Sequence, residues 1–274
     1  MCVCLFVCLA AAVVDKTSTD GSDVQGVTSV DDELFVLLGQ DVDQVAVYSV
    51  SDYKLQPRLS VPGLKPNYRN DMTSCVRYKC LYMSDFDNSC IHRYDLSSSD
   101  IIQWKVPGSP CGLSVTPSCN LLVTCREPRK LVELSADSGQ CVREITLQSD
   151  IMCPRHYVQL TTGQYVVCHG FCDEGLHRVC LVGDDGKVTR SYGGQCGSDV
   201  GQLNTPRHLA VDKDSQCIFV ADRINHRVVL LSPTLEFVRY VNEKLSWPSR
   251  LYLDQSTRRL FVDQLSGDIV VIQL

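Results

Sequence analysis

Two dipeptides, Arg155-His156 and Arg207-His208, stand 52 residues apart, each directly after a proline (Pro154, Pro206). A third proline, Pro248, is followed by Ser249-Arg250. Guanidinium is a planar fork of donors that suits phosphate or carboxylate, and imidazole changes charge near neutral pH. The same part of the chain holds Arg126, Arg129, Lys130, Arg178, Arg223, His226 and Arg227. The chemistry this implies is recognition of an anion; the plainer alternative is a set of solvated loop charges. Metal is a weaker reading. Cys168-His169-x-x-Cys172 followed by His177-x-x-Cys180 has the ligand types zinc accepts. The four residues between its halves are fewer than zinc modules usually leave, and Cys168 and Cys180 read as strand residues. There is no G-x-S-x-G and no Walker-type loop, and Gly193-Gly194 falls between strands rather than before a helix. No catalytic residue, metal or cofactor is expected from these patterns.

The elements that must carry these residues are short strands. Between Gly201 and Val241 four apolar runs occur, His208–Val211, Cys217–Ala221, Arg227–Leu231 and Phe237–Val241, joined by polar, turn-prone residues. Such spacing makes a four-stranded antiparallel meander. Leu81–Ile91 repeats Ile218–Val228 in the same register, and Leu121–Cys125 with Lys130–Leu134 is a third copy. The strand entry recurs at Pro110, Pro154, Pro206 and Pro248, at spacings of 44, 52 and 42 residues. Proline is tolerated at the first residue of a strand, and a period in the forties with four strands per unit means propeller blades.

At this point the chain resembles the NHL-repeat family. The matching residues are Pro206, Leu209-Ala-Val-Asp212, Ile218-Phe-Val-Ala-Asp222 and Asn225-His226-Arg227-Val228, with Arg227 where the family's naming tripeptide has leucine. Asp85 and Asn88 echo the pattern in an earlier repeat. The resemblance implies an all-β, six-bladed β-propeller of four-stranded antiparallel blades over residues 24–274. Residues 1–23 form an apolar segment, a closing strand or signal-like, and a linker. Blade 6 stops one strand short at Leu274, so Val3–Val14 is expected to complete it and close the ring, since an open sheet edge is a liability.

Composition narrows the setting. The formal charge of −6 argues mildly against a general nucleic-acid binder, and no apolar run reaches the length of a membrane span, so no membrane insertion is expected. Of sixteen cysteines, three (Cys2, Cys4, Cys8) precede the repeats, leaving an odd thirteen. Several occupy strand positions (Cys80, Cys125, Cys168, Cys217), where free thiols pack as small hydrophobes. Reduced thiols point to the cytoplasm. The alternative is secretion, with residues 1–14 as a signal peptide, although a basic n-region is missing.

Sorting the joints by face separates the charges. Joints between first and second and between third and fourth strands collect aspartates, among them Asp31, Asp32, Asp52, Asp95, Asp212 and Asp254. The other face carries a basic crescent over blades 3 to 6: Arg126, Arg129, Lys130, Arg155, His156, Arg207, His208, Arg223, His226, Arg227 and Arg250. The family resemblance implies a substrate-recognition module like that of tripartite-motif ubiquitin ligases, binding a protein partner or single-stranded RNA there as a monomeric propeller. No RING pattern is present, so no enzyme activity is expected on this reading. The resemblance also carries an alternative, a secreted enzyme of the metal-dependent amidating-lyase or lactonase type. A channel metal on His156 and His208 would lack a third histidine, since blades 3 and 6 have Gly112 and Arg250 there.

Overall fold

The computed structural model describes residues 12–18, 23–39, 44–65, 67–170, 175–242 and 244–274. Strand β1 (Ala12–Ser18) comes first, then blade 1, made of β2 (Val24–Val30), β3 (Glu33–Leu38), β4 (Gln44–Ser49) and β5 (Leu55–Ser60). Blade 2 has β6 (Met72–Cys75), β7 (Cys80–Asp85), β8 (Cys90–Asp95) and β9 (Ile101–Lys105). Blade 3 has β10 (Pro110–Val115), β11 (Leu121–Cys125), β12 (Lys130–Leu134) and β13 (Cys141–Thr146). Blade 4 has β14 (Pro154–Gln159), β15 (Tyr165–His169), β16 (His177–Val182) and β17 (Val188–Gly194). Blade 5 has β18 (Pro206–Val211), β19 (Ile218–Asp222), β20 (Arg227–Leu231) and β21 (Phe237–Asn242). Blade 6 has β22 (Leu251–Asp254), β23 (Arg259–Asp263) and β24 (Asp268–Gln273), with β1 as its outer strand. Each sheet is a four-stranded antiparallel meander, and inner strands touch around the ring, β22 meeting β2. This is the six-bladed β-propeller that the repeat implied.

The apolar runs follow from where each strand lies. Middle strands such as β7, β11 and β19 are buried along their whole length because both faces pack against neighbouring blades. Outer strands such as β5 and β13 are mostly exposed and correspondingly polar. Six apolar clusters fill the six gaps between blades; Val166, Val179, Val220 and Val229 belong to the one between blades 4 and 5. The repeat reaches the backbone. Lys79, Cys119, Gln216 and Arg258 all take positive φ (45°, 64°, 58° and 57°) at one equivalent turn position, where blade 4 has Gly163.

Ring closure uses a later segment than Val3–Val14. β1 pairs antiparallel with β24 from Ala12↔Gln273 to Ser18↔Asp268, with an irregularity at Val13/Asp15. Only residues 12–14 are shared with the expected strand, and residues 3–11 lie outside the described residues. The physical reason is the joint to blade 1. A strand ending at Ser18 leaves five residues before Val24, a common connection length, whereas one ending at Val14 would need nearly twice that.

Candidate functional site in the central channel

The six inner strands place one residue each on a single ring inside the channel. Pairing with the second strands fixes the equivalence: Val27↔Val36, Met72↔Met83, Leu113↔Val123, Tyr157↔Val167, Leu209↔Val220 and Leu251↔Val262. The residues just before these are Gly26, Asp71, Gly112, His156, His208 and Arg250. The two glycines are demanded by close approach. A Cβ on Gly112 would lie 2.4 Å from the Arg155 carbonyl oxygen, and one on Gly26 would lie 2.5 Å from Met72. Four functional side chains therefore face one another across a pinched channel.

Asp71 is the hub. Its Oδ2 accepts from the Leu113 amide (2.8 Å) and from His208 Nε2 (3.3 Å), while Oδ1 accepts from the Met72 amide (2.9 Å). Arg250 Nε lies 3.5 Å from Oδ1. Burial by itself would raise this carboxyl, but His208, Arg250 and His156 hold it down to about 2. The hydrogen bonds set both histidine tautomers. His208 Nδ1 accepts from the Leu251 amide (3.4 Å), so its Nε2 carries the proton given to Asp71. His156 Nε2 donates to the Leu113 carbonyl (2.9 Å) and stands 3.8 Å from Asp71 Oδ2. The two imidazoles stack at 3.7 Å, with 27° between their planes. Burial, then His208, lowers His156 to about 3; His208 is lowered too, again chiefly by burial. His156 Nδ1 is buried with no hydrogen-bond partner, so it is a bare basic nitrogen.

Two hollows meet at this ring. On the side of the first-to-second strand joints, a funnel of about 450 Å³ is lined by His156, His208, Ser74, Ser114, Gln159 and Tyr252, among others. That is a volume suited to a small molecule. On the opposite side lies a much smaller hollow between Arg69, Asp71, Cys111, Arg155, Arg207, His208 and Arg250. The roomy end of the channel is thus on the face whose joints are rich in aspartate.

The crescent residues are drawn inward, and none of the eleven is fully exposed. Arg155, His156, His208, Arg227 and Arg250 are buried; Arg126, Arg129, Lys130, Arg207, Arg223 and His226 are half-buried. The structure brings Arg155, His156, Arg207, His208 and Arg250 together at the channel. Arg250 donates to the carbonyls of Gln25, Asn70 and Ser249, latching the ring across blades 6, 1 and 2. Arg227 is bound to Asp222 (2.7 Å) and to the Ser198 and Gln202 carbonyls, a pin inside blade 5. Arg223 lies over Trp247, and His226 Nδ1 meets the Leu245 carbonyl. Lys130 pairs with Glu144, Arg129 donates to the Ser149 carbonyl, and Arg126 reaches the Cys153 sulfur. Cys168 and Cys180 sit in cores on opposite faces of blade 4, so they cannot share an ion; Cys172 lies outside the described residues.

Asp71 is the site residue that sequence reading missed. Its blade has Arg69 where four others have the marker proline, so although blade 2 reads as starting at about Asp71, nothing marks that residue as the counterpart of His156 and His208. Counting back from Met83 would have placed it, given the first joint's length.

Asp71, His156 and His208 are ligand types for a divalent ion, and their ligating atoms lie within 4.8 Å of one another. The set does not fit a metal. Imidazole lone pairs lie in the ring plane, and stacked, nearly parallel rings cannot aim them at one point. The Asp71 oxygens already receive two amides and His208, with a guanidinium alongside.

No family model and no curated protein sequence matches the chain. Solved structures do match in fold. Virginiamycin B lyase from Staphylococcus aureus superposes with a TM-score of 0.66 at 11% identity, over 95% of this chain and 98% of the lyase. A streptogramin B lyase gives 0.69 at 10% identity, over 95% and 97%. Hydrazine synthase of Kuenenia stuttgartiensis gives 0.66 at 15% identity, over 94% and 97%. The expectation of a non-enzyme is corrected here. The fold this chain shares is one that carries enzymes, and its channel holds a buried acid–base cluster of the kind enzymes use.

Proposed function

We propose that this chain is a propeller enzyme of the lyase type, acting on a small molecule held in the 450 Å³ funnel. The observation that carries the proposal is His156, a lining residue of the funnel whose buried Nδ1 has no hydrogen-bond partner and whose Nε2 stands 3.8 Å from Asp71. Nδ1 takes a proton from carbon, and the C–H electron pair becomes a double bond as the leaving group departs. The leaving group then recovers that proton from the imidazolium. Asp71, 3.8 Å from Nε2, stabilises the cation in between, and the Leu113 carbonyl fixes the tautomer. A base lowered to about 3 removes only protons already acidified, such as those beside a carbonyl. Two similarities support this reading: the lyase propellers share the fold, and one of them is catalytically inactive after a single histidine-to-alanine change. The Asp222, Asn225 and Arg227 pin of blade 5 is the residue-level support for calling the chain NHL-like.

The test is turnover of carbonyl compounds with a leaving group at the β position, with virginiamycin B and quinupristin included. Product is followed by the new double bond's ultraviolet absorbance and by mass spectrometry. His156→Gln is expected to slow turnover by about 10²- to 10⁴-fold, the usual worth of a general base. Equal turnover in the variant, or no reaction of compounds shown to occupy the funnel, overturns the proposal.

A further inference from the structure

The small hollow on the far side of the channel ring from the funnel is lined chiefly by arginine. Arg69, Arg155, Arg207 and Arg250 surround it, together with Asp71, Cys111 and His208. Strand entry brings them there. The residues one place before the ring residues are Gln25, Asn70, Cys111, Arg155, Arg207 and Ser249. This tier therefore holds two guanidiniums and no acid. The pairing of β14 with β15 shifts at Pro154/His156, and that of β18 with β19 at Pro206/Leu209, so both arginines stand at bulges. A bulge re-aims the side chain it displaces.

Charge and hydrogen bonding are both unbalanced in this hollow. Asp71 is its one lining carboxylate, and the Asp71 oxygens already accept from two amides and His208, with Arg250 alongside. That acid and that guanidinium cancel, which leaves Arg69, Arg155 and Arg207. Among the described residues no carboxylate pairs with Arg69 or Arg207, and the Nε of each is buried with no hydrogen-bond partner. Arg207 Nη2 donates to the Tyr68 carbonyl (3.0 Å), and Arg69 lies over the Tyr68 and Phe86 rings. Neither contact supplies a full negative charge. Burial, then Arg250, Arg155 and Arg223, pull Arg207 well below its usual range, and burial, then Arg126, lowers Arg155. The further acids that act on the cluster are Asp263 and the exposed Asp23. Six guanidiniums thus face three carboxylates, and like charges buried without a counter-ion are strongly unfavourable.

Size decides which counter-ion fits. The hollow measures about 10 Å³, space for about one water-sized particle. A chloride ion is only slightly larger than water, whereas tetrahedral phosphate or sulfate would have to push the guanidiniums apart. We propose that Arg69, Arg155 and Arg207 hold one chloride-sized anion at the narrow end of the channel. The site does not depend on the chemistry assigned to the funnel. The test is a titration of the full chain with sodium chloride replacing sodium gluconate at constant ionic strength, read by melting temperature and chloride NMR line width. Chloride should raise the melting temperature saturably, and the protein should broaden the chloride line until bromide displaces the ion. Arg207→Gln should raise the half-saturating chloride concentration by about 10- to 100-fold, the worth of one hydrogen bond to a charged group. In gluconate alone this variant should be at least as stable as wild type, because one like charge is gone; in saturating chloride wild type should be the more stable. A merely structural arginine would give no such crossover. Arg69→Gln, on a separate segment, supplies the comparison if Arg207→Gln does not fold. A wild-type melt that follows ionic strength alone, or a chloride response equal in wild type and these variants, overturns the assignment.

Discussion

Lowering the pH from 7 to 5 should unfasten this propeller from its channel outward. His156 is lowered to about 3, by burial first and then by His208, whereas in the unfolded chain it returns to the ordinary 6.5. Between those values the unfolded state binds a proton that the folded state refuses. The stability His156 lends is therefore complete above about pH 6.5 and is lost as pH falls toward 3. At pH 5 the linked titrations cost about 2 kcal/mol relative to pH 7. His169, lowered to about 4 by burial and Arg178, adds a similar loss, and His208 acts in the same direction. Asp71, held down to about 2, stays ionised throughout this window and contributes equally at both ends. The assay is denaturant unfolding of wild type and His156→Gln at pH 7 and pH 5. Glutamine can still donate to the Leu113 carbonyl but has no proton to gain, so the variant should lose about 2 kcal/mol less than wild type over that interval. An identical loss in both proteins would refute the claim that His156 is buried and neutral.

Two further outcomes test the frame around the site. Gly112→Ala puts a methyl group 2.4 Å from the Arg155 carbonyl, so it should destabilise by about 1–3 kcal/mol in denaturant unfolding and displace His156. Deleting residues 1–18 removes β1 and bares one edge of β24, which should lower the melting temperature by many degrees; an unchanged melt would show that the β1–β24 pairing contributes nothing.

Architecture was legible because it is repeated. The register shared by Leu81–Ile91 and Ile218–Val228 carries over residue for residue into β7–β8 and β19–β20, and the proline that opens β10, β14 and β18, or that shortly precedes β22, marks an entry. What stayed hidden depends on backbone geometry that composition does not encode. Gly26 and Gly112 look like interruptions until their Cβ positions are seen to coincide with neighbouring strands. Asp71 has no marker, and first joints differ in length between blades. The basic crescent was expected to recognise an anion, with solvated loop charges as the alternative, yet Arg227 and Arg250 are consumed by internal carboxylate and carbonyl groups. Their spacing shows only that they recur; whether a guanidinium meets water or a backbone oxygen is decided by the chain folded around it.

Strand β1 has a consequence for how the molecule is made. It leaves the ribosome before the other strands of the ring, and its partner β24 follows 250 residues later, between Ser18 and Asp268. At ordinary synthesis rates that interval is roughly 12–50 s, far longer than a hairpin needs to form. Blades 1 to 5 can each zip up locally as they emerge, while β1 waits with an unsatisfied backbone and β22–β24 arrive last. During that wait the nascent chain carries a strand with no place to dock, the condition under which a second chain's blade 6 could capture it instead. Expression at high ribosome density should therefore favour strand-exchanged dimers, and slower initiation should favour closed single rings.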